Sequence, residues 1–297
     1  MPSIALIGPG AVGGIIAATL IGRGHDVTVC ARRPLGELTV ELLAGPMTFA
    51  PKVITDPAQG RPVDWVLVAT KAYDAAGAAA WFPKLLGPQT RVAILQNGVE
   101  HRERFAAWLK PEQILPVMVE VPGERPASGR IVQRGPGRMV VPAGADGTHF
   151  AELFAGTALA VTTTPDFKTA IWRKLCLNSP GALNALLLRP TEIFRDESIA
   201  ALAREMIRET ITVGRVEGAV IEDAYVEALI EGFRKAAPDG INSLHADRAA
   251  GRPMEVDARN GAIVRFGKKH GIATPLNEMA STLLAAHAAT VRTISQK

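Results

Sequence analysis

The sequence of 297 residues contains only two cysteines, Cys30 and Cys176. They lie far apart and show neither a CxxC motif nor a Cys/His spacing. This excludes a disulfide framework and leaves no recognisable ligand set for a metal. We therefore expect two small buried thiols in a protein of a reducing compartment, and no bound metal.

Runs of one charge and long hydrophobic stretches are also lacking. The 33 basic and 29 acidic residues leave a net charge of +4, and the basic residues are scattered. This distribution gives no reason to expect nucleic acid or a membrane as a partner. Residues 1–22 are uncharged, but no Lys or Arg precedes their apolar residues, as a secretory signal requires, and Pro9 and several glycines interrupt them. We expect a cytoplasmic protein.

Short apolar runs alternate with helical patterns in the first half of the chain. The runs cover residues 4–7, 27–30, 65–69, 91–95 and 114–121, and a helix is predicted over 11–24. Continuous apolar strands of this kind are typical of a parallel sheet that is covered on both faces. Further along, we predict a hairpin over 130–141 that turns at 135–137, and a last strand over 159–164.

The second half of the chain is predicted to be helical. Helical periodicity covers residues 168–188, 198–217, 223–236, 254–270 and 277–292, and only residues 271–275 give a short strand signal. The length suits two domains, and we place them at 1–166 and 167–297. The predicted fold is an α/β domain followed by an all-helical domain.

GPGAVG at residues 8–13 matches the pattern G-x-G-x-x-G. It directly follows the first predicted strand and opens a helix, and the next strand completes a βαβ unit. Gly8 would permit the tight turn, Gly10 the approach of a pyrophosphate and Gly13 close packing of helix and strand. The amides of Ala11 and Val12 would join the phosphate site at the helix start. We predict a Rossmann-type dinucleotide-binding domain; the alternative is a glycine-rich turn without a ligand.

The end of the second strand predicts which nicotinamide cofactor is used. Enzymes specific for NAD usually carry Asp or Glu there, whereas this chain reads CARRP, with Arg32 and Arg33. An arginine can bind a 2′-phosphate through charge-assisted hydrogen bonds, and a carboxylate would repel it. The pattern favours NADPH, and the alternative is that both arginines are solvated loop residues.

The segment IWRKLCLN, residues 171–178, combines apolar side chains with one cation and one amide. Read as a helix, it projects Lys174 and Asn178 from one face, because they are four residues apart. An isolated pair of this kind is most simply an ordinary solvated face. The rest of the chain has to supply evidence for any other role.

The chain resembles the ketopantoate reductases (2-dehydropantoate 2-reductases) over nearly its whole length. The motifs that carry the resemblance are, in chain order, GPGAVG (8–13), Arg32 after the second strand, ATKAYD (69–74), QNG (96–98), WRKLCLN (172–178) and NSLHADRAAGRPMEVDARNG (242–261). The resemblance implies NADPH-dependent reduction of a 2-oxo acid to a 2-hydroxy acid, with ketopantoate as the expected substrate on the route to pantothenate.

The resemblance also assigns roles to single residues. It implies that Lys174 is the proton donor and contacts the substrate, and that Glu255 is catalytic and lies near the cofactor. It implies substrate binding by Asn178, Ser243 and Asn97. Cofactor binding by Asn97 and by Lys71 is implied as well. The apolar helices of the second domain could also support a homodimer.

One departure from the family pattern concerns the substrate pocket. Many members carry a second asparagine four residues after the first, where this chain has Ala182 after Pro180-Gly181. The proline should kink the helix, and Asn184 could then substitute for the missing amide. The alternative functions are a related reductase of another 2-oxo acid, a β-hydroxyacid dehydrogenase, and a non-catalytic NADPH-binding sensor.

Overall fold

The computed structural model describes the backbone of residues 1–294 and the side chains of residues 1–287. The chain divides into two compact units, Met1–Phe167 and Lys168–Lys297. The last three residues of the predicted helical domain, 295–297, lie outside the described residues. The binding roles that the sequence assigns to the two domains stay predictions.

Strands and short helices alternate in the first unit. The strands are β1 (Ser3–Ile7), β2 (Asp26–Cys30), β3 (Leu38–Leu42), β4 (Gly45–Phe49), β5 (Lys52–Ile54), β6 (Trp65–Val68), β7 (Arg91–Ile94), β8 (Ile114–Pro116), β9 (Met118–Glu120), β10 (Gly123–Ala127), β11 (Arg130–Gln133), β12 (Gly137–Pro142) and β13 (Leu159–Thr164). The helices are α1 (Ala11–Gly22), α2 (Ala75–Ala79), α3 (Phe82–Leu85), α4 (His101–Phe105) and α5 (Ala145–Leu153), with 3₁₀ turns at Pro57–Gln59, Ala72–Asp74 and Pro111–Gln113.

The central sheet has six strands in the order β5-β2-β1-β6-β7-β8. All of its pairs are parallel, and Ile4 of β1 lies opposite Val27 on one side and Trp65 on the other. The chain starts in the middle of the sheet, builds one edge and then crosses to build the other. This is the strand order of the doubly wound dinucleotide-binding fold, and it confirms the predicted Rossmann-type class.

Apolar side chains cover both faces of the central sheet. In β1, Ile4 and Leu6 pack into the cluster that contains the buried side of α1, whereas Ala5 and Ile7 pack into the cluster on the opposite face. Alternate residues point to opposite faces, so a strand that is buried on both sides must be apolar throughout. Cys30 lies in the second cluster, and burial raises the pKa of its thiol to about 12.

The predicted hairpin over 130–141 is wrong. β11 pairs with β10 and β3, whereas β12 pairs with β9 and β13 in a separate three-stranded sheet. β12 packs tightly on β13, because a Cβ on Gly137 would lie 2.4 Å from Cδ2 of Leu159. The predicted strand over 114–121 is likewise two strands, β8 and β9, which belong to different sheets.

The second unit is helical in the part that the structure describes. Its helices are α6 (Phe167–Asn178), α7 (Gly181–Leu187), α8 (Glu197–Val216), α9 (Ala224–Lys235), α10 (Ser243–Ala249), α11 (Ala262–His270) and α12 (Pro275–Ile294), with a 3₁₀ segment at Thr191–Arg195 and a π-helical turn at Asp257–Gly261. The strand signal at 271–275 is wrong: Gly271, with φ of 67°, ends α11, and the amide of Ile272 donates back to the carbonyl of Gly267 at 2.8 Å.

In the described part of the chain, no helix has the length and apolar character needed to cross a membrane. The expected cytoplasmic location stays a prediction.

Candidate active site

The turn between β1 and α1 uses its three glycines in different ways. Gly8 has φ of 93°, and a Cβ on it would lie 2.7 Å from the backbone nitrogen of Thr70. A Cβ on Gly13 would lie 2.2 Å from the carbonyl oxygen of Gly8. A Cβ on Gly10 would meet no atom within 4 Å. Packing therefore demands glycine at two positions, while the third keeps a space above the helix start open.

The open space lies at the start of α1. Gly10 precedes the helix and offers no side chain that could cap it, and the amide of Gly14 already donates to the carbonyl of Gly10 at 2.8 Å. The amides of Ala11, Val12 and Gly13 belong to the first turn, where a helix has no carbonyl for them to bond. Together with the positive end of the helix dipole, they fit the pyrophosphate of a dinucleotide.

Three other residues with predicted binding roles follow neighbouring strands of the central sheet. Arg32 follows β2, Lys71 follows β6 and Asn97 follows β7. β1, which leads into the glycine turn, lies between β2 and β6, and β7 lies next to β6. Because parallel strands end at the same edge of a sheet, the fold brings these residues and the glycine turn to one edge.

Gln96 connects two of these strand ends and was given no role by the sequence. Its side chain is buried and donates to Oγ1 of Thr70 at 3.0 Å and to the carbonyl of Lys71 at 3.4 Å. Nε2 of the buried His101 lies 2.8 Å from the carbonyl oxygen of Gln96. The backbone next to Lys71 and Asn97 is therefore fixed by hydrogen bonds that only the folded chain reveals.

Arg32 is almost completely solvated, with 87% of its side chain exposed. Its Nη1 lies 3.7 Å from Oδ2 of Asp74, at the end of the short turn that follows Lys71. An exposed ion pair of this length contributes only about 0–1 kcal/mol. Arg32 can therefore exchange this carboxylate for the phosphate of a ligand at little cost.

In the second unit, α6 is anchored by Trp172. This side chain is buried, its ring lies edge-on to Phe266 at 5.7 Å, and a Cβ on Gly214 would lie 2.9 Å from it. Lys174 and Asn178 are partly buried and project from one side of the helix. Two residues correspond to about 200° of helix, so Lys174 points away from the anchoring tryptophan.

The helix is interrupted after Asn178, and α7 begins at Gly181. Pro180 has no amide hydrogen to bond the carbonyl of Cys176, so the helix cannot continue regularly. The hydroxyl of Ser179 donates to that carbonyl instead, at 3.3 Å. Cys176 is fully buried, and burial raises the pKa of its thiol to about 12. The kink predicted from the proline is thus a complete break.

The break is an attachment point for the segment that carries Glu255. Nδ2 of Asn260, in the π-helical turn, donates to the carbonyl of Ser179 at 3.0 Å. The same nitrogen donates to Oδ1 of Asn277 at 2.9 Å. Asn260 is fully buried, as is Asn277. Glu255 therefore belongs to a segment that is held directly against the end of α6, next to Asn178.

The segment that carries Ser243 is attached to the same break. Nδ2 of Asn242 donates to the carbonyl of Gly181 at 3.1 Å. The side-chain oxygen of Asn242 caps α10 by accepting from the amides of Leu244 and His245 at 2.9 and 3.1 Å. Ser243, the first residue of α10, is thereby held close to the end of α6.

Asn184 does not replace the missing family asparagine. Its Nδ2 donates to the carbonyls of Arg189 and Pro190, both at 3.0 Å, and its Oδ1 accepts from Asn242 at 3.1 Å. Only 2% of Asn184 is exposed, and its amide forms hydrogen bonds within the second unit. Ala182 has no exposed surface at all. The break at the proline therefore does not turn Asn184 toward a ligand.

Arg259 contacts a residue with a predicted binding role, although sequence reasoning assigned no role to Arg259 itself. Its Nη2 donates to Oγ of the exposed Ser243 at 2.8 Å, although only 5% of Arg259 is exposed. Burial lowers the pKa of its guanidinium, and the charges of Glu255 and Asp247 act in the opposite direction. Glu255 is itself buried. The spacing of four residues between this carboxylate and the arginine is the signal that could have identified the pair.

Known proteins resemble this chain in both sequence and fold. The family model for ketopantoate reductase PanE/ApbA matches residues 4–146, and the model for its C-terminal domain matches residues 166–288. A 2-dehydropantoate 2-reductase of Caulobacter vibrioides is 51% identical over 97% of this chain and 100% of its own length. The crystal structure of 2-dehydropantoate 2-reductase from Geobacter metallireducens has a TM-score of 0.90 at 29% identity and covers 96% of this chain and 99% of its own.

A structure of D-mandelate dehydrogenase with NADH and anilino(oxo)acetate has the same fold, with a TM-score of 0.88 at 21% identity, 98% coverage of this chain and 99% of its own. At this identity the likeness concerns the fold alone. The two family models, by contrast, match nearly all of the sequence, and the Caulobacter relative is aligned over its entire length. The chain therefore belongs to the ketopantoate reductase family.

Proposed function

We propose that this protein reduces 2-dehydropantoate (ketopantoate) to pantoate with NADPH as the reductant. The family is one of NAD(P)H-dependent oxidoreductases that act on a small keto acid. The observation that carries the proposal is the hydrogen bond from Asn260 to Ser179, because it joins the segment of Glu255 to the end of the helix with Lys174 and Asn178. Lys174, Asn178 and Glu255 supply the cation, the amide and the carboxylate that the proposed reduction uses.

Each proposed role follows from the chemistry of the side chain. NADPH supplies the hydride for the carbonyl carbon when it is bound. Negative charge then develops on the carbonyl oxygen, where the ammonium group of Lys174 stabilises it and donates the proton. Asn178, one turn further along, offers an amide that can bind hydroxyl or carbonyl oxygens without adding charge. The carboxylate of Glu255 supports the positive charge of the lysine.

The preference for NADPH rests on Arg32. Its side chain is solvated and, among the described residues, is held by a long ion pair at the sheet edge that also carries Lys71 and Asn97. A guanidinium can form two parallel hydrogen bonds to a phosphate, which NADH lacks at its adenosine ribose. The open space at Gly10 fits the pyrophosphate that both cofactors share.

Oxidation of NADPH, followed by its loss of absorbance, tests the proposal directly. We expect turnover with ketopantoate and slower turnover with shorter branched 2-oxo acids. A 3-hydroxy acid, offered with NADP⁺ in the reverse direction, should not react. The absence of turnover with every 2-oxo acid, by a folded protein that binds NADPH, would favour the alternative of a non-catalytic sensor. Oxidation of the 3-hydroxy acid would favour a β-hydroxyacid dehydrogenase.

A related 2-oxo acid is the second candidate substrate. Ala182 stands where many family members have an asparagine, and Asn184 is committed to backbone carbonyls. Compared with those members, this chain lacks one amide that could bind the 4-hydroxyl group of ketopantoate. If a 2-oxo acid without that hydroxyl is turned over faster than ketopantoate, this second candidate replaces the first.

Association into a homodimer through the second unit is also part of the proposal. Met279 and Leu283 lie four residues apart on α12 and are 45% and 51% exposed. Exposed apolar side chains on one helix face favour contact with another protein surface. Sedimentation analysis should show a dimer for the wild type and a shift to monomer for Leu283→Glu. A wild type that sediments as a monomer contradicts this part.

A further inference from the structure

Arg259 combines two properties that are seldom found together. The residue is 5% exposed, yet its Nη2 donates at 2.8 Å to the hydroxyl oxygen of Ser243, which is exposed. Its Nε is also buried and has no hydrogen-bond partner within the described residues. A buried guanidinium with an unused donor is costly, so its retention calls for a compensating role.

The hydrogen bond determines what the serine can do. A hydroxyl group has one hydrogen to donate and two lone pairs that accept. In Ser243 the oxygen already accepts from Arg259, so the hydrogen remains for an acceptor on the exposed side of the serine. Donation from a charged group also polarises the hydroxyl and makes it a better donor. Ser243 is thus prepared to bind an anionic oxygen.

The charges next to Arg259 are those of two carboxylates, one of which also binds a second arginine. The carboxylates of Glu255 and Asp247 act on the guanidinium. Asp247 also accepts from Nε of Arg252 at 2.9 Å, so this carboxylate serves two arginines. The guanidinium of Arg259 lies directly behind the hydroxyl of Ser243, where its charge would attract a substrate carboxylate bound to that hydroxyl.

We infer that Arg259 is a positioning residue that sets the specificity for the substrate carboxylate. It holds the hydroxyl of Ser243 so that this hydroxyl donates to the carboxylate of the 2-oxo acid, and it adds positive charge behind the hydroxyl. The inference rests on the proposed reduction of a 2-oxo acid and adds the residue that distinguishes an acid from an uncharged ketone.

Three substitutions separate the charge from the hydrogen bond. Arg259→Met removes both, Arg259→Gln keeps a donor for Ser243 and Arg259→Lys keeps the positive charge. We expect Arg259→Met to raise the KM for ketopantoate about tenfold or more, with kcat changed less than about threefold. Arg259→Lys should recover part of the loss. The affinity for NADPH should not change in any of the three.

Ser243→Ala tests whether Arg259 acts on the substrate through the serine hydroxyl, and it does so without removing the buried charge. If Arg259 acts through Ser243, the double variant Ser243→Ala/Arg259→Gln should have a KM no higher than that of the worse single variant. This comparison remains decisive if Arg259→Met does not fold. Arg252→Met is the matched control, because Arg252 shares Asp247 but is 56% exposed and should leave the KM unchanged.

A second substrate gives a readout that a purely structural role would not change. The wild type should prefer ketopantoate over its primary amide in kcat/KM, and Arg259→Gln should reduce that preference about tenfold. An unchanged preference, or a loss of kcat at constant KM, overturns the inference. If the wild type itself turns over no 2-oxo acid, the proposed function fails instead, so the two failures are distinguishable.

Discussion

At the scale of single residues, Lys174 carries the chemical step of the proposed reaction. Lys174→Ala removes the general acid, so we expect activity with ketopantoate to fall by a factor of about 10²–10⁴. NADPH affinity should stay the same, because the glycine turn is in the other unit of the chain. Steady-state kinetics and NADPH titration measure the two effects.

Lys168→Ala is the matched control for Lys174, since Lys168 lies on the same helix and is exposed. It should keep wild-type turnover. A Lys174→Ala variant that is folded and nearly as active as the wild type would return this helix face to the ordinary solvated interpretation.

Arg32 is the residue that should select the cofactor. We expect Arg32→Ala to remove about 1.5–3 kcal/mol of the preference for NADPH over NADH, the usual contribution of a hydrogen bond to a charged group. The measurement is kcat/KM for each cofactor. Arg33→Ala serves as the neighbouring control and should keep the preference. Equal use of both cofactors by the wild type contradicts the assignment.

Residues with a local motif could be predicted, and those defined by distant contacts could not. The glycines at 8, 10 and 13 follow from the turn, because their spacing reflects backbone geometry within six residues. Arg259 reaches Ser243 sixteen residues away, and Asn260 reaches Ser179 eighty-one residues away. No periodicity in the sequence encodes such pairs. The hydrogen bonds from Asn184 to backbone carbonyls could not be predicted for the same reason.

At the scale of elements, the turn into α1 offers a matched pair of substitutions. Gly13→Ala would place a Cβ 2.2 Å from a carbonyl oxygen, so the backbone must shift, and we expect a loss of about 1–3 kcal/mol in unfolding free energy. Gly10→Ala meets no atom within 4 Å and has an ordinary φ of −73°, so its loss should stay within about 1 kcal/mol.

Gly10→Ala, the variant with the smaller effect on stability, should be the one that weakens cofactor binding. Gly10→Ala fills the space proposed for the pyrophosphate, so NADPH affinity should fall about tenfold or more while the fold is retained. Chemical denaturation and NADPH titration provide the two readouts. A Gly10→Ala variant with wild-type affinity would show that the pyrophosphate does not lie against this turn.

Elements with continuous burial were the ones that could be predicted. The strands β1, β2, β6 and β7 place side chains in the buried clusters on both faces, so their sequences are mainly apolar and easily recognised. β4 and β5 have no fully buried residue, and the mixed composition of these short strands gave no signal. The wrong hairpin has another cause: β12 finds its partners β9 and β13 at a distance, and adjacency along the chain favoured β11 instead.

At the scale of the whole molecule, Glu217 joins two helices that are far apart in sequence. It ends α8, and its Oε1 accepts from Nζ of Lys269 at 2.9 Å and lies 2.5 Å from Nε2 of His270, at the end of α11. Burial by itself would raise the pKa of this carboxyl group. The hydrogen bonds from His270 and Lys269 outweigh burial, so the pKa lies below its ordinary value of 4.5.

Stability against acid should therefore depend on Glu217. A carboxylate with a lowered pKa stabilises the fold above the pKa of the unfolded chain, and this contribution is lost as the pH falls through the pKa of the folded state. Glu217→Gln should cost about 1–2 kcal/mol of unfolding free energy near neutral pH. The difference should shrink as the pH falls below the ordinary pKa of a glutamate and disappear below the lowered pKa of the folded state, because a protonated Glu217 resembles glutamine. Urea denaturation followed by circular dichroism at several pH values measures both.

Glu231→Gln is the control, since the pair Glu231–Lys235 is also close, at 2.6 Å, but 66% of the Glu231 side chain is exposed. Its effect on the unfolding free energy should be much smaller than that of Glu217→Gln at every pH, because solvent screens the exposed pair. A constant offset between wild type and Glu217→Gln across the whole pH range would mean that the ion pair is not the cause.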